Sequence, residues 1–226
     1  VRVSDSTYAV GGQWYVADSL ETKGFVLLLH DNGQILWFDT LGHLSGEFAV
    51  LDLTKNLYGI QFSGYHLKSD GDYDKFSGSV DQNGVILAQV APVEATGYTD
   101  IIQQLAYLPQ QDLTILGVQV LNNNTFQEPY DLYFGYGDAF YGYWITGWPS
   151  STILNEGNDY IGNIRPTLDG GFIAVGMNSV IVDGQNQLNG GSNIFVLKVN
   201  GDGSAYVQTD TVFTTQQLVG LIPAFE

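Results

Sequence analysis

Apolar residues fall at alternate positions in short runs along this chain, and the runs close on glycine. "FIAVGMN" ends its run at Gly176, "LTILGVQ" at Gly117, "YGIQFSGY" at Gly64 and "TYAVGGQ" at Gly12. A period of two is that of a half-buried β-strand, and no segment keeps the 3.6-residue period of an amphipathic helix. These glycines stand 52, 53 and 59 residues apart. A second marker follows each one: a strand, an Asp/Asn–Gly turn and another strand. It reads "FVLLLHDNGQILWF" around Gly33, "FSGSVDQNGVILAQV" around Gly84 and "IFVLKVNGDGSAYVQ" around Gly203, with a degenerate copy, "LYFGYGDAFYGYWI", around Gly142. Those steps are 51, 58 and 61 residues. Two markers drifting together make four copies of one unit.

Each unit also carries an upstream strand. "DYIGNIRPTLDGGF" (159–172) matches "DIIQQLAYLPQQDL" (100–113) and, more loosely, "FAVLDLTKNLY" (48–58). A unit is therefore four antiparallel strands in about 55 residues, close to the period of a propeller blade. The pattern predicts an all-β fold: one β-propeller domain over 1–226, with four-stranded blades at about 7–47, 48–99, 100–158 and 159–213. The Asn–Gly and Asp–Gly turns supply the positive φ of tight hairpins. "VRVSDSTYAVGG" enters a unit at its second strand, and "LIPAFE" at the other end parallels "YLPQQD" (107–112). Residues 214–226 are thus expected to pair with the strand holding Tyr8–Gly12 and to close a ring of four blades with both termini in one blade.

Composition narrows the function. Seven Lys and Arg face 24 Asp and Glu, a formal charge of −17, which disfavours nucleic acid and anionic lipid and favours divalent cations and basic partner surfaces. No stretch approaches the roughly 20 apolar residues that span a bilayer, so no direct membrane insertion is expected. The absence of cysteine excludes disulfides and thiolate metal sites. No signal-like N-terminus is present, so Val1 is expected to follow a cleavage or to lie within a longer chain.

The stretch "TLDGGFIAVG … SNIFVLKVNGDG", with "NGQILWFDTLG" and "YDLYFGYG", resembles the DGG-type propeller repeats of exported proteins in Bacteroidetes-like bacteria. The likeness covers the whole chain and is sharpest over 165–203. Trp37 takes the position of the repeat's Trp in the first unit, whereas the second and third units have lost the DGG and the Lys. The resemblance implies a non-catalytic propeller, of a type IX secretion cargo or cell-envelope accessory protein. It also implies a periplasmic, cell-surface or extracellular location. Such a repeat defines architecture rather than activity.

Candidate sites are few. "SDGDYDKF" spaces Asp70, Asp72 and Asp74 as Ca²⁺-binding oxygen ligands are spaced, but Lys75 stands where an EF-hand needs Gly and Asp81 where it needs Glu. A solvated hairpin loop is the simpler reading, Asp81 belongs to the next turn, and Ca²⁺ is the one cofactor the sequence leaves open. Residues 129–149 hold nine aromatics in 21 positions. Packing between blades accounts for most of them, Tyr133, Tyr141 and Tyr143 sharing a face. Phe140 and the exit at Trp148–Pro149 are the expected exposed exceptions. His30, His43 and His66 sit in unrelated contexts as surface or loop histidines, and no nucleophile, metalloprotease or phosphate-loop motif occurs.

The function expected is a non-catalytic protein-binding scaffold of the cell envelope or secretion pathway. A carbohydrate- or Ca²⁺-dependent adhesin is the alternative, and a propeller glycoside hydrolase the next. The least repeat-like loops, 65–75, 121–130, 147–158 and 179–192, fall on one end of a ring and are expected to carry the contact. Asn155 in the third loop and Asn186 and Asn189 in the fourth supply polar groups there. The end with the tight Gly33, Gly84 and Gly203 turns is expected to be bare.

Overall fold

The structure, a computed structural model, describes residues 1–17, 21–41, 47–67, 71, 73–90, 98–122, 131–138, 144–149, 157–180, 192–200 and 205–209. Among these there is no helix, and every sheet is antiparallel. Sheet 1 holds β1 (Thr7–Val16), β2 (Glu21–His30) and β3 (Ile35–Thr40). Sheet 2 holds β4 (Glu47–Lys55), β5 (Ile60–Leu67), β6 (Tyr73–Val80) and β7 (Ile86–Val90). In sheet 3 are β8 (Tyr98–Leu108), β9 (Leu113–Asn122), β10 (Asp131–Asp138) and β11 (Trp144–Pro149). Sheet 4 comprises β12 (Gly157–Pro166), β13 (Phe172–Val180), β14 (Ser192–Val199) and β15 (Ala205–Thr209). Within each sheet the strands follow chain order as a meander.

Sheet 1 has three described strands where sheets 2, 3 and 4 have four, in keeping with a chain that enters a unit at its second strand, and a short N-terminal segment lies beside the first of them. Val1–Val3 fold back on β1: Arg2 bridges Tyr8, Ala9 N–H donates to Val1 O at 2.8 Å, and Val3 N–H donates to Thr7 O at 2.9 Å. These residues therefore occupy the end of the first-strand position in sheet 1. Beyond Ala9 that edge of β1 has no described strand beside it. Residues 214–226 lie outside the described residues.

The marker glycines have a physical reason. β4 bulges between Val50 and Asp52, β8 between Ile102 and Gln104, and β12 between Ile161 and Asn163. A Cβ on Gly64 would sit 1.8 Å from Ala49 O, and one on Gly176 would sit 2.1 Å from Tyr160 O, so neither backbone approach tolerates a side chain. Sheet 3 departs by one residue: Gly117 pairs with Gln104, after the bulge, rather than with the residue before it. In its turn Asp112 has a φ of 51°.

Apolar cores lie between sheets 1 and 2 (Val26, Leu28, Phe48, Phe62, Phe76) and between sheets 3 and 4 (Phe134, Ile164, Phe172, Phe195, Leu197). Phe134 and Phe172 meet with ring centroids 5.7 Å apart. Ile102, Leu105, Leu116 and Val118 make a smaller cluster in sheet 3.

Candidate functional site

Val1 and Ala9–Gly11 of sheet 1, with the first strands of sheets 2, 3 and 4 at Val50–Lys55, Leu105–Tyr107 and Arg165–Pro166, line a cavity of about 680 Å³. Asp52 stands just past the β4 bulge. One carboxylate oxygen accepts Leu53 N–H at 2.8 Å, and the other accepts Leu105 N–H at 2.7 Å, so the side chain ties sheet 2 to sheet 3. Burial holds its pKa above the usual carboxylate value, against those two hydrogen bonds. A carboxylate with both oxygens taken by backbone is a structural tie rather than a free base.

The turns at one end of the molecule are bonded into a belt. Lys55 Nζ donates to Val3 O at 2.5 Å, Tyr58 OH to Asp112 Oδ2 at 2.7 Å, and Gln110 Nε2 to Leu168 O at 3.2 Å. Gln111 adds a bond to Gly170 O at 3.1 Å. Tyr107 donates to the same Asp112, and burial with that bond pushes its phenol up to about 12. Trp37 Nε1 donates to Gln82 O at 3.0 Å, its ring lying over Gly84. The indole thus locks the hairpin of sheet 1 to that of sheet 2. Gly33 and Gly84 have φ of 87° and 85°, as tight Asn–Gly hairpins require. Asp81 caps its own turn through Asn83 N–H and Val85 N–H, and those bonds, Val85's above all, hold its carboxyl below the ordinary value.

Motif chemistry appears in the fourth sheet. Asp169 of the DGG turn takes Lys198 Nζ at 2.8 Å from β14, and Gly170 has φ 81°. The ammonium and the Thr167 hydroxyl hold Asp169 far below the usual carboxylate range. Asp–Gly–Gly and the Lys downstream are thus two halves of one clasp.

The turn end carries exposed aliphatic side chains. Leu168 is 99% exposed, Leu57 71% and Val85 59%, and the cavity reaches this end at Lys55, Pro109 and Pro166. The glycine and carboxylate chemistry of these turns does not mark their tips. An aliphatic residue where a turn ordinarily carries a polar one was the signal.

The other expected residues scatter. Asp74 is buried within β6, opposite His66 of β5, rather than in a solvated hairpin loop, because the strands run to Leu67 and resume at Tyr73. His66 stacks on Phe48 at 4.3 Å, so it is a packed strand residue and not a loop histidine. His30 pairs with Asp31 at the first turn. Trp148 and Pro149 are the last two residues of β11, paired with Phe134 and Tyr133. Asp70, Asp72, His43, Phe140, Tyr141, Tyr143, Asn155, Asn186 and Asn189 lie outside the described residues. Among the described residues no three His, Asp or Glu side chains gather as metal ligands. No helix there is long and apolar enough to cross a membrane.

No family model matches the chain, and no curated protein matches it. Among solved structures it is similar to a protein of unknown function from Bacteroides caccae, with 14% identity and a TM-score of 0.44. That similarity covers 91% of this chain and 73% of the other.

Proposed function

We propose that this chain is a non-catalytic protein-binding module: a four-bladed β-propeller of DGG-type repeats, its termini sharing the first blade. It serves as a rigid platform in the cell envelope or secretion pathway, on the periplasmic, cell-surface or extracellular side. The observation that carries the reading is the exposure of the aliphatic tips Leu57, Val85 and Leu168, on turns held by bonds between sheets. Exposed apolar side chains on a pre-ordered backbone bind at little entropic cost, as interface anchors do. The net charge of −17 makes a basic partner surface the better fit. The Asp169–Lys198 clasp supports the repeat assignment by giving its signature residues a common purpose.

Capture from native envelope extract, read by mass spectrometry, tests the proposal. A Leu57→Asp/Val85→Asp/Leu168→Asp variant is expected to lose the captured protein while melting as the wild type does. If capture survives there and is lost on charge reversal within 147–158 or 179–192, the contact belongs to the long loops instead. Loss in neither set overturns the platform reading.

A further inference from the structure

Cationic side chains are scarce in this chain, and three of them sit on carboxylates. Arg2 pairs with Asp5 at 3.0 Å, Lys23 with Glu21 at 2.6 Å and Lys198 with Asp169 at 2.8 Å. Lys55 and Arg165 have carbonyl partners instead: the ammonium donates to Val3 O at 2.5 Å, the guanidinium to Ile164 O at 3.0 Å. With 24 acidic residues against seven basic ones, a cation without a carboxylate is unexpected. Both side chains are exposed, and both line the cavity described above.

The strands explain this placement. Past their bulges, the first strands of sheets 2, 3 and 4 run Asp52–Leu53–Thr54, Gln104–Leu105–Ala106 and Asn163–Ile164–Arg165. Arg165 thus holds the station of Thr54 and Ala106, and all three line the cavity. Lys55 follows Thr54, toward the turn end. Asp52 lines the cavity as well, but its oxygens accept Leu53 N–H and Leu105 N–H, and it makes no ion pair with either cation. Much of the remaining wall is aliphatic, from Val10, Val50, Leu51, Leu53 and Leu105.

We infer that this cavity is a binding site for a single carboxylate carried on an aliphatic body, with Arg165 as its fork and Lys55 as a second charge. A guanidinium offers parallel N–H donors that match the two oxygens of a carboxylate, and the aliphatic wall takes the body. Charge decides between anions. Among the lining side chains two cations face one carboxylate, Asp52, so the excess is a single positive charge. A monoanion neutralises it, whereas a phosphate dianion adds negative charge beside Asp52 in a chain of net charge −17. The volume of about 680 Å³ falls within the roughly 300–1,000 Å³ of small-ligand sites. Free aliphatic acids and the C-termini of peptides share this chemistry. The site is separate from the aliphatic tips and needs no partner protein to fill it.

An NMR titration of the isotope-labelled protein tests the site with four probes: isocaproate, its neutral amide isocaproamide, inorganic phosphate, and acetyl-alanyl-leucine with a free carboxylate. Isocaproate is expected to shift the amides of Gly11, Leu53, Ala106 and Arg165, and to bind about tenfold or more tightly than the amide or phosphate. Arg165→Gln should weaken it about tenfold, and Arg165→Lys, which keeps the charge but not the fork, by less. Both variants should melt as the wild type does, because Arg165 is exposed and bonds only to its own neighbour. Lys55→Gln should weaken isocaproate about two- to fivefold. Tighter binding of the peptide assigns the site to a chain terminus, and tighter binding of isocaproate to a free acid; both uphold it. Amide or phosphate binding as tight as isocaproate, unchanged binding by Arg165→Gln, or no shift with any probe overturns it. The capture experiment reads Leu57, Val85 and Leu168, so either reading can fail while the other stands.

Discussion

The two faces of sheet 2 are both buried, yet they are built from opposite chemistry. Toward sheet 1 it presents Ile60, Phe62, Phe76 and Val80; toward sheet 3 it presents Gln61, Ser63, Ser77 and Ser79. A strand reading I-Q-F-S alternates as though one face met water. The polar face is instead covered by β8 and β9, and Thr114 of β9 meets Gln61 at 2.5 Å. Alternation in a strand thus records which face is apolar, whereas burial is decided by what packs on it. Sheet 1 teaches the converse. Val10 holds the place in β1 that Phe62 holds in β5, yet it is 41% exposed where Phe62 is fully buried.

That contrast can be broken by substitution. Phe62→Ala should cost about 3–5 kcal/mol in chemical denaturation, and Val10→Ala less than about 1 kcal/mol. Equal losses would mean that Val10 is as buried as Phe62. The strand glycines come next. Gly64→Ala drives a methyl against Ala49 O and should cost about 1–3 kcal/mol. Gly33→Ala meets nothing within 4 Å and bears only the strain of its φ of 87°, about 1–2 kcal/mol.

On the polar side, Asp52→Ala strips the acceptor from Leu53 N–H and Leu105 N–H and should cost about 1–3 kcal/mol. Asp52→Asn keeps one acceptor and should recover part of that loss. If the two variants melt together, the tie between sheets 2 and 3 is not made by that side chain.

The smallest effects are electrostatic. Asp169 is depressed by Lys198, so its contribution is present above the unfolded carboxylate pKa, about 3.9, and is lost as pH falls through the lower folded value. Asp169→Asn should therefore flatten the acid limb of the melting temperature, and salt should blunt the difference, since the pair is exposed. Ca²⁺ is expected to leave the melting temperature of the wild type unchanged. A rise that disappears in Asp72→Ala would instead place a Ca²⁺ site in the acidic loop.

Much of the architecture was legible in the chain because turns and strands are local. Gly33 and Gly84 need positive φ, and Gly64 and Gly176 leave no room for a Cβ, so the markers that revealed the repeat are the residues backbone sterics demand. The DGG turn and Lys198 were likewise visible as a motif, although the ion pair joining them was not. The candidate site was far less legible. Asp74 and His66 looked like loop residues because nothing in "HLKSDGDYD" marks where pairing between β5 and β6 stops.

What the sequence by itself determined is the period, the strand class and the turn chemistry, since these depend on residues a few positions apart. Tertiary structure alone decided that Asp52 joins two sheets, that Gln61 is buried, that Val1–Val3 lie beside β1 and that Leu57 and Leu168 stay exposed. The Asp52 and Gln61 contacts depend on surfaces that meet across more than fifty residues of chain, the Val1–Val3 fold-back on a contact eight residues apart, and the exposed leucines on surfaces that fail to meet at all; strand periodicity records none of these.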